Sequence, residues 1–345
     1  MRSIFDTGRM DPPYDPPLTT AGHREIRPRI PERGARMRVR PVPAATGALV
    51  CLAALLFGVP PARAAGRIPV TIGHRGVPVR APENTLASID TAAGLGVRWV
   101  ENDVQRTRDG ALVVLHDTTL RRTTDVERRF PGRAPWKVAD FTLAEVEKLD
   151  AGSWFDRRFA GERVPTLKRY LRRVEHNRQR LLLEIKDPAR YPGIERQLVA
   201  ELRGSGWLGP ARVRHDLVVQ SFDARSLRTF HRLRPDVRTG FLGAPKAADL
   251  RAYAGFADQI NPSQRGVTAG WVRSVHAVKG PHGRPLEVSA WTVDDGDRAV
   301  ALARMGVDAV ISNAPQVVEA ALAEEDEPAT ADSPFSFVGT ALDFL

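Results

Sequence analysis

Residues 99–104 read Trp-Val-Glu-Asn-Asp-Val, and residues 181–186 read Leu-Leu-Leu-Glu-Ile-Lys. Both are short, apolar, strand-like segments with charged side chains two positions apart: Glu101 and Asp103 in the first, Glu184 and Lys186 in the second. On a strand, positions i and i+2 share a face. Two carboxylates on the inward face of a buried strand repel each other, and their desolvation is costly unless a cation sits between them. Segments of this kind recur along the chain. Strands are expected at 70–72, 99–104, 181–185, 217–219, 239–242, 259–260, 287–292 and 309–311. Between and after them lie amphipathic stretches at 84–95, 167–176, 194–202, 224–233, 247–253, 269–278, 297–305 and 316–322, with apolar residues returning every three or four positions. Eight strand–helix units predict an α/β fold, a parallel sheet closed into a (β/α)8 TIM barrel. An open doubly wound sheet is the competitor. It is weakened because Gly73-His74-Arg75-Gly76, after the first strand, is not the phosphate loop G-x-G-x-x-G.

The strand ends favour the barrel. They carry His74-Arg75, Glu101 and Asp103, Glu184 and Lys186, Gln220-Ser221, Asn261, Trp291-Thr292 and Ser312-Asn313. In a barrel these scattered positions converge at one mouth, where such folds place their chemistry. After Asp103 comes a reversal, Thr107-Arg108-Asp109-Gly110, and then Leu112-Val113-Val114-Leu115-His116. Folding back about Asp109-Gly110 brings His116 beside Asp103, so a ninth, antiparallel piece is expected after the second barrel strand. Three carboxylates (Glu101, Asp103, Glu184) without cysteine suit Ca²⁺ or Mg²⁺ rather than structural zinc. His74 and His116 supply an acid–base couple, and Arg75 and Lys186 supply positive charge that can hold a phosphate. Together these groups fit the cleavage of a phosphodiester.

The motifs Gly73-His74-Arg75-Gly76, Pro82-Glu83-Asn84-Thr85, Glu101-Asn102-Asp103-Val104, Thr107-Arg108-Asp109-Gly110, His116-Asp117, Arg122-Thr123-Thr124, Val164-Pro165-Thr166-Leu167, Glu184-Ile185-Lys186, Gln220-Ser221-Phe222-Asp223 and Trp291-Thr292-Val293 occur in this order. The set resembles the glycerophosphodiester phosphodiesterases over about residues 70–320. The resemblance implies a TIM barrel with a small insertion at about 117–165 and hydrolysis of glycerophosphodiesters to glycerol phosphate and an alcohol. It implies that Glu101, Asp103 and Glu184 bind the divalent metal, that His74 and His116 are the general acid and base, and that Arg75 and Lys186 contact the phosphate. Glu83 would support the site, although a carboxylate there could equally cap the following helix. Phe222 and Trp291 would wall the glycerol side, or else serve as core packing. A neighbouring glycerol hydroxyl would attack first, giving a cyclic phosphate that water opens. One departure stands out: Ile311-Ser312-Asn313-Ala314-Pro315 replaces the family's usual Thr-Asp before the last Pro, and is expected to weaken only a hydrogen bond at the pocket rim. Two other readings are a lysophospholipase D-like or phospholipase D-like enzyme on the same barrel and a non-catalytic phosphodiester-binding protein.

The rest of the sequence sets the frame. Of 345 residues, 42% are hydrophobic and 27% charged, with one Cys, which excludes a fibre, a disordered polymer and a disulfide scaffold. Residues 1–65 hold 10 Arg against 5 acids, so the +10 formal charge falls to +5 over the remainder, and no nucleic-acid partner is expected. Residues 1–36 show no apolar periodicity and are expected to be a disordered or mis-annotated extension. Residues 37–65 have a basic start at Met37, an apolar run at 46–59 and Ala62-Arg63-Ala64, the layout of a secretory signal peptide; an uncleaved anchor is the alternative. Cys51 lies inside that run, which places the sole thiol in the leader of an exported protein. The enzyme domain is expected over 66–322 and a disordered acidic tail over 323–345. Arg121-Arg122, Arg128-Arg129 and Arg157-Arg158 read as solvated loop faces, or as a peripheral contact for lipid head groups or a cell-wall polymer.

Overall fold

A computed structural model of the chain describes residues 68–326. The expected extension (1–36), signal peptide (37–65) and most of the expected tail lie outside the described residues. Nine strands form the sheet: β1 (Val70–Gly73), β2 (Trp99–Arg106), β3 (Leu112–Val114), β4 (Arg180–Ile185), β5 (Leu217–Ser221), β6 (Arg238–Leu242), β7 (Gln259–Asn261), β8 (Glu287–Trp291) and β9 (Ala309–Ser312). Eight of them are parallel and close on themselves, because β1 pairs with both β9 and β2. The remaining strand, β3, is antiparallel to β2, with Val104 opposite Val114 and Arg106 opposite Leu112. This is the hairpin register expected from the Asp109-Gly110 reversal.

The helices are α1 (Leu86–Gly94), α2 (Val126–Arg129), α3 (Leu143–Val146), α4 (Leu167–His176), α5 (Ile194–Gly204), α6 (Pro210–His215), α7 (Ala224–Leu233), α8 (Leu250–Tyr253), α9 (Ala269–His276), α10 (Gly296–Arg304) and α11 (Pro315–Asp326). Their packing follows from sequence spacing. In α4, Leu167, Tyr170, Leu171 and Val174 are buried, at i, i+3, i+4 and i+7, while the intervening Lys and Arg face outward. Strand alternation then divides the barrel. Leu181 and Leu183 join the helix-facing core, whereas Leu182 packs inside with Ile72, Val218, Ala309 and Ile311. The inward series on β4 therefore continues from Leu182 to Glu184, and on β2 from Trp99 to Glu101 and Asp103. Asp103 and Glu184 are register partners on neighbouring strands. The apolar plug of the barrel gives way to acids toward the carboxyl ends of these strands.

Residues 115–165 form a lobe with its own core of Leu115, Leu120, Val126, Val138, Phe141, Val146 and Leu149, packed onto Val113 of β3. It contains α2 and α3, and Thr142 and Glu145 close a reciprocal cap on α3. Several boundaries differ from expectation. Helix α1 begins two residues late because Asn84 has φ of 59° and Thr85 is the N-cap, its hydroxyl accepting from Ser88 N at 3.2 Å. Helix α6 was not expected, since six residues with one buried apolar side chain, Val213, show no periodicity. Helix α11 runs to Asp326, so the tail expected from 323 begins as helix. Among the described residues, no helix is long and apolar enough to cross a membrane.

Candidate active site

The closed sheet brings Glu101 and Asp103 of β2 together with Glu184 of β4. Their ligand oxygens all lie within 4.8 Å of one another. The residues are only 1%, 1% and 6% exposed. Asn84, held by its left-handed turn, donates from Nδ2 to Asp103 Oδ2 at 2.9 Å, and Arg75 N donates to Glu101 Oε2 at 3.0 Å. The Arg75 guanidinium stands 3.5 Å from Asp103 Oδ2, and Lys186 Nζ lies 3.1 Å from Glu184 Oε1 and 3.6 Å from Asp103 Oδ1. These cations do not satisfy the cluster. Burial, with the charges of Asp103 and Glu184, pushes the Glu101 carboxyl well above the usual range. Burial and Asp103 push Glu184 up to about 8. Asp103 stays low because Arg75 and Lys186 overcome its burial, yet its Oδ1 accepts no hydrogen bond. Three acids that cannot all ionise unaided, with one buried oxygen accepting no hydrogen bond, are a donor set suited to a hard divalent cation.

Both histidines flank this cluster. His74 follows β1; its Nδ1 is 2.7 Å from Asn313 Oδ1 and its Nε2 is 4.0 Å from Glu101 Oε2. Burial, then the Arg75 charge, lowers its pKa to about 4. His116 follows β3 directly after Leu115, whose N–H donates to Asp103 O at 2.9 Å. Its Nδ1 is 2.8 Å from Asp117 Oδ1. Asp117 is held down at about 2, first by its hydrogen bond from Arg122. Arg122 Nε donates to Asp117 Oδ2 at 2.7 Å, while its Nη1 and Nη2 grip Glu83 Oε2 and Oε1 at 2.7 and 2.8 Å. Glu83 Oε1 in turn accepts from Arg75 Nη1 at 2.9 Å. One polar chain thus links His116, on the hairpin, to Arg75, beside the acids.

His74, Arg75, Glu101, His116, Glu184 and Lys186 line a common cavity of about 130 Å³ with Phe222 and Trp291. The two aromatic rings meet edge to face at 5.6 Å. Trp291 Nε1 donates to Asn261 O at 2.8 Å, which fixes the indole, whereas Phe222 is 51% exposed at the opening. A cavity of about 410 Å³ at the opposite ends of the strands contains Arg238 paired with Glu287 and Asp258 hydrogen-bonded to His282, beside Arg214 and Arg284. It carries none of the groups at the mouth.

Two expectations need correction. The hydrogen bond of Asn313 is not one of the rim alone, because its partner is His74. Arg122 is half exposed, yet it is not a free loop cation, since both ends of its guanidinium are bound to carboxylates. Their roles were hidden because the partners lie 239 residues away for Asn313 and, for Glu83, 39 residues away from Arg122. Asn84 lies at the start of the stretch expected as helix, 84–95, although its place in Pro82-Glu83-Asn84-Thr85, before a capping Thr, is a turn signal.

A (β/α)8 barrel with buried acids and two histidines at its mouth has the groups a metal-assisted hydrolase needs, and comparison with known proteins names the class. Residues 74–317 match the model of the glycerophosphoryl diester phosphodiesterase family. A glycerophosphodiester phosphodiesterase of Bacillus subtilis (strain 168) is 32% identical over 262 residues, 72% of this chain and 84% of that protein. One from Caldanaerobacter subterraneus is 32% identical over 257 residues, 72% of this chain and 96% of that protein. Among solved structures, an Oleispira antarctica phosphodiesterase in complex with the product sn-glycerol-3-phosphate is 29% identical, with a TM-score of 0.61, covering 74% of this chain and 97% of that one. The chain belongs to the glycerophosphoryl diester phosphodiesterase family and is a hydrolase.

Proposed function

We propose that this protein is an exported, cation-dependent enzyme that hydrolyses water-soluble glycerophosphodiesters to glycerol phosphate and an alcohol. One observation carries the reading: Glu101, Asp103 and Glu184 converge within 4.8 Å beside a cavity that His74 and His116 also line. The three acids would hold the ion, which when bound supplies positive charge against the non-bridging phosphate oxygens. Arg75 and Lys186 place two more cations at the same wall and orient the diester. One imidazole takes the proton of a glycerol hydroxyl as its oxygen bonds to phosphorus, and the other gives a proton to the departing alcohol oxygen. The resulting cyclic phosphate is opened by water with the two imidazoles exchanging roles. Export rests on the layout of residues 37–65.

An adjoining cavity of about 540 Å³ shares Glu184, Lys186 and Phe222 with the site and is otherwise bordered by the apolar Ile185, Pro188 and Ala189 and by Asp187, Arg190, Ser221 and Asp223, a mixed lining that puts charge within reach of a polar leaving alcohol. The test is a substrate panel of glycerophosphocholine, glycerophosphoethanolamine, glycerophosphoglycerol and a long-chain lysophosphatidylcholine, with Ca²⁺, Mg²⁺ or chelator. Release of glycerol phosphate from the soluble diesters, abolished by chelator, is expected. Preference for the lysolipid would shift the reading to a lysophospholipase D-like enzyme, and binding without turnover would make the protein a phosphodiester binder. A signal-peptide reporter fused after residue 65 tests export.

A further inference from the structure

Three neighbouring strand ends, β1, β9 and β8, present His74, Asn313 and Asp294 in a row. Asn313 Oδ1 lies 2.7 Å from His74 Nδ1, and Asn313 Nδ2 donates to Asp294 Oδ2 at 2.8 Å. Asp294 Oδ1 accepts from Asn313 N at 2.7 Å and from Ser312 Oγ at 3.3 Å. Every partner of Asp294 in this set is a donor. An ionised carboxylate only accepts, so the nitrogen of the Asn313 amide must face Asp294 and its oxygen must face His74. An amide oxygen also only accepts, so His74 Nδ1 must carry the hydrogen. In the neutral ring the lone pair is then on Nε2, the nitrogen near Glu101 and the cavity.

We propose that Asp294 and Asn313 are positioning residues that lock His74 in its Nδ1–H tautomer, so that His74 meets the substrate through Nε2 as proton acceptor. This deepens the proposed phosphodiesterase reading and rests on it. Nothing in the relay touches the diester; it acts through ring orientation and proton placement. The order of polarity matters and the charge's location less. Exchanging the two residues, Asp294→Asn with Asn313→Asp, leaves a carboxylate to accept from His74 and an amide to donate to it. Either exchange alone breaks the pattern: Asn313→Asp sets two carboxylates face to face, and Asp294→Asn removes the fixed acceptor.

The experiment has two readouts. Two-bond ¹H–¹⁵N correlation spectra of ¹⁵N-histidine protein, in a buffer where the chain is active and with His74→Gln for assignment, should show His74 protonated at Nδ1. In Asn313→Ala that preference should be lost. Steady-state kinetics should show kcat reduced about 10–100-fold in Asn313→Ala and Asn313→Asp with little change in KM, a size typical of residues that orient a functional group. The double exchange should recover most of kcat. An Nε2–H tautomer in an active wild type, or an unchanged tautomer with full kcat in Asn313→Ala, overturns the relay. An inactive wild type would instead sink the proposed function, leaving the spectrum to judge the relay alone.

Discussion

Replacing Arg122 by Met separates the polar chain in its middle, and the consequences can be worked out in advance. The side chain is 44% exposed, so its pair with Asp117, itself 28% exposed, is screened and contributes at most about 1 kcal/mol. The Glu83 end is different, because that carboxylate is only 9% exposed and accepts two guanidinium hydrogen bonds. Arg75 remains as its partner, so the loss there is about 1–2 kcal/mol, the net value of a charge-assisted bond rather than of an orphaned charge. The total of roughly 1–3 kcal/mol corresponds to a fall in Tm of roughly 2–10 °C in a domain of this size. Activity should suffer more. Asp117 loses the fork that aims it at His116 Nδ1, and a tenfold or larger loss of kcat, about 10–100-fold, is expected. Arg122→Lys restores charge but cannot bridge two carboxylates in one plane, so kcat should stay closer to that of the Met variant than to wild type. Thermal melts and initial rates of glycerol phosphate release measure both effects. A folded Arg122→Met protein with wild-type kcat would refute the idea that the insertion orients His116 through this residue.

Other outcomes follow from the same geometry. Glu184 has its pKa raised to about 8 without a cation, so at pH 7 it must lose a proton when a divalent ion binds, and affinity should rise as the pH climbs through about 8. Calorimetry in buffers of different ionisation enthalpy should therefore detect fewer protons released at pH 9 than at pH 7, and equal release would contradict the shift. Leu182, 1% exposed in the plug beneath the acids, should cost roughly 2–5 kcal/mol on replacement by Ala, seen as a lower denaturation midpoint. Phe222→Ala should raise KM several-fold with kcat nearly intact if the exposed ring only walls the opening; a fall in kcat alone would argue against that role.

The barrel was legible because it is written in short-range patterns. Alternation on β4 fixes Leu182 inward, and the i, i+2 spacing then carries Glu184 to the same side. The Asp109-Gly110 reversal likewise set the hairpin register that brings His116 back toward β2. Local patterns say nothing of which loops touch across the mouth. Arg122 looked like one of several arginine pairs in solvent, yet it meets Glu83 from another strand's loop. Asn313 looked like a weakened copy of an acid, and only closure of β1 against β9 reveals His74 as its partner. Boundaries failed for a third reason. A single left-handed residue, Asn84, displaced the start of α1 without disturbing its apolar spacing.

The most direct test of the central claim is the stoichiometry of divalent-cation binding to chelator-treated protein, followed by calorimetry alongside activity. We predict one Ca²⁺ or Mg²⁺ per chain, with turnover recovering in proportion to site filling, and both lost in Asp103→Asn and Glu184→Gln proteins that still fold. Full turnover in the metal-free protein, or undiminished binding in both variants, would contradict it.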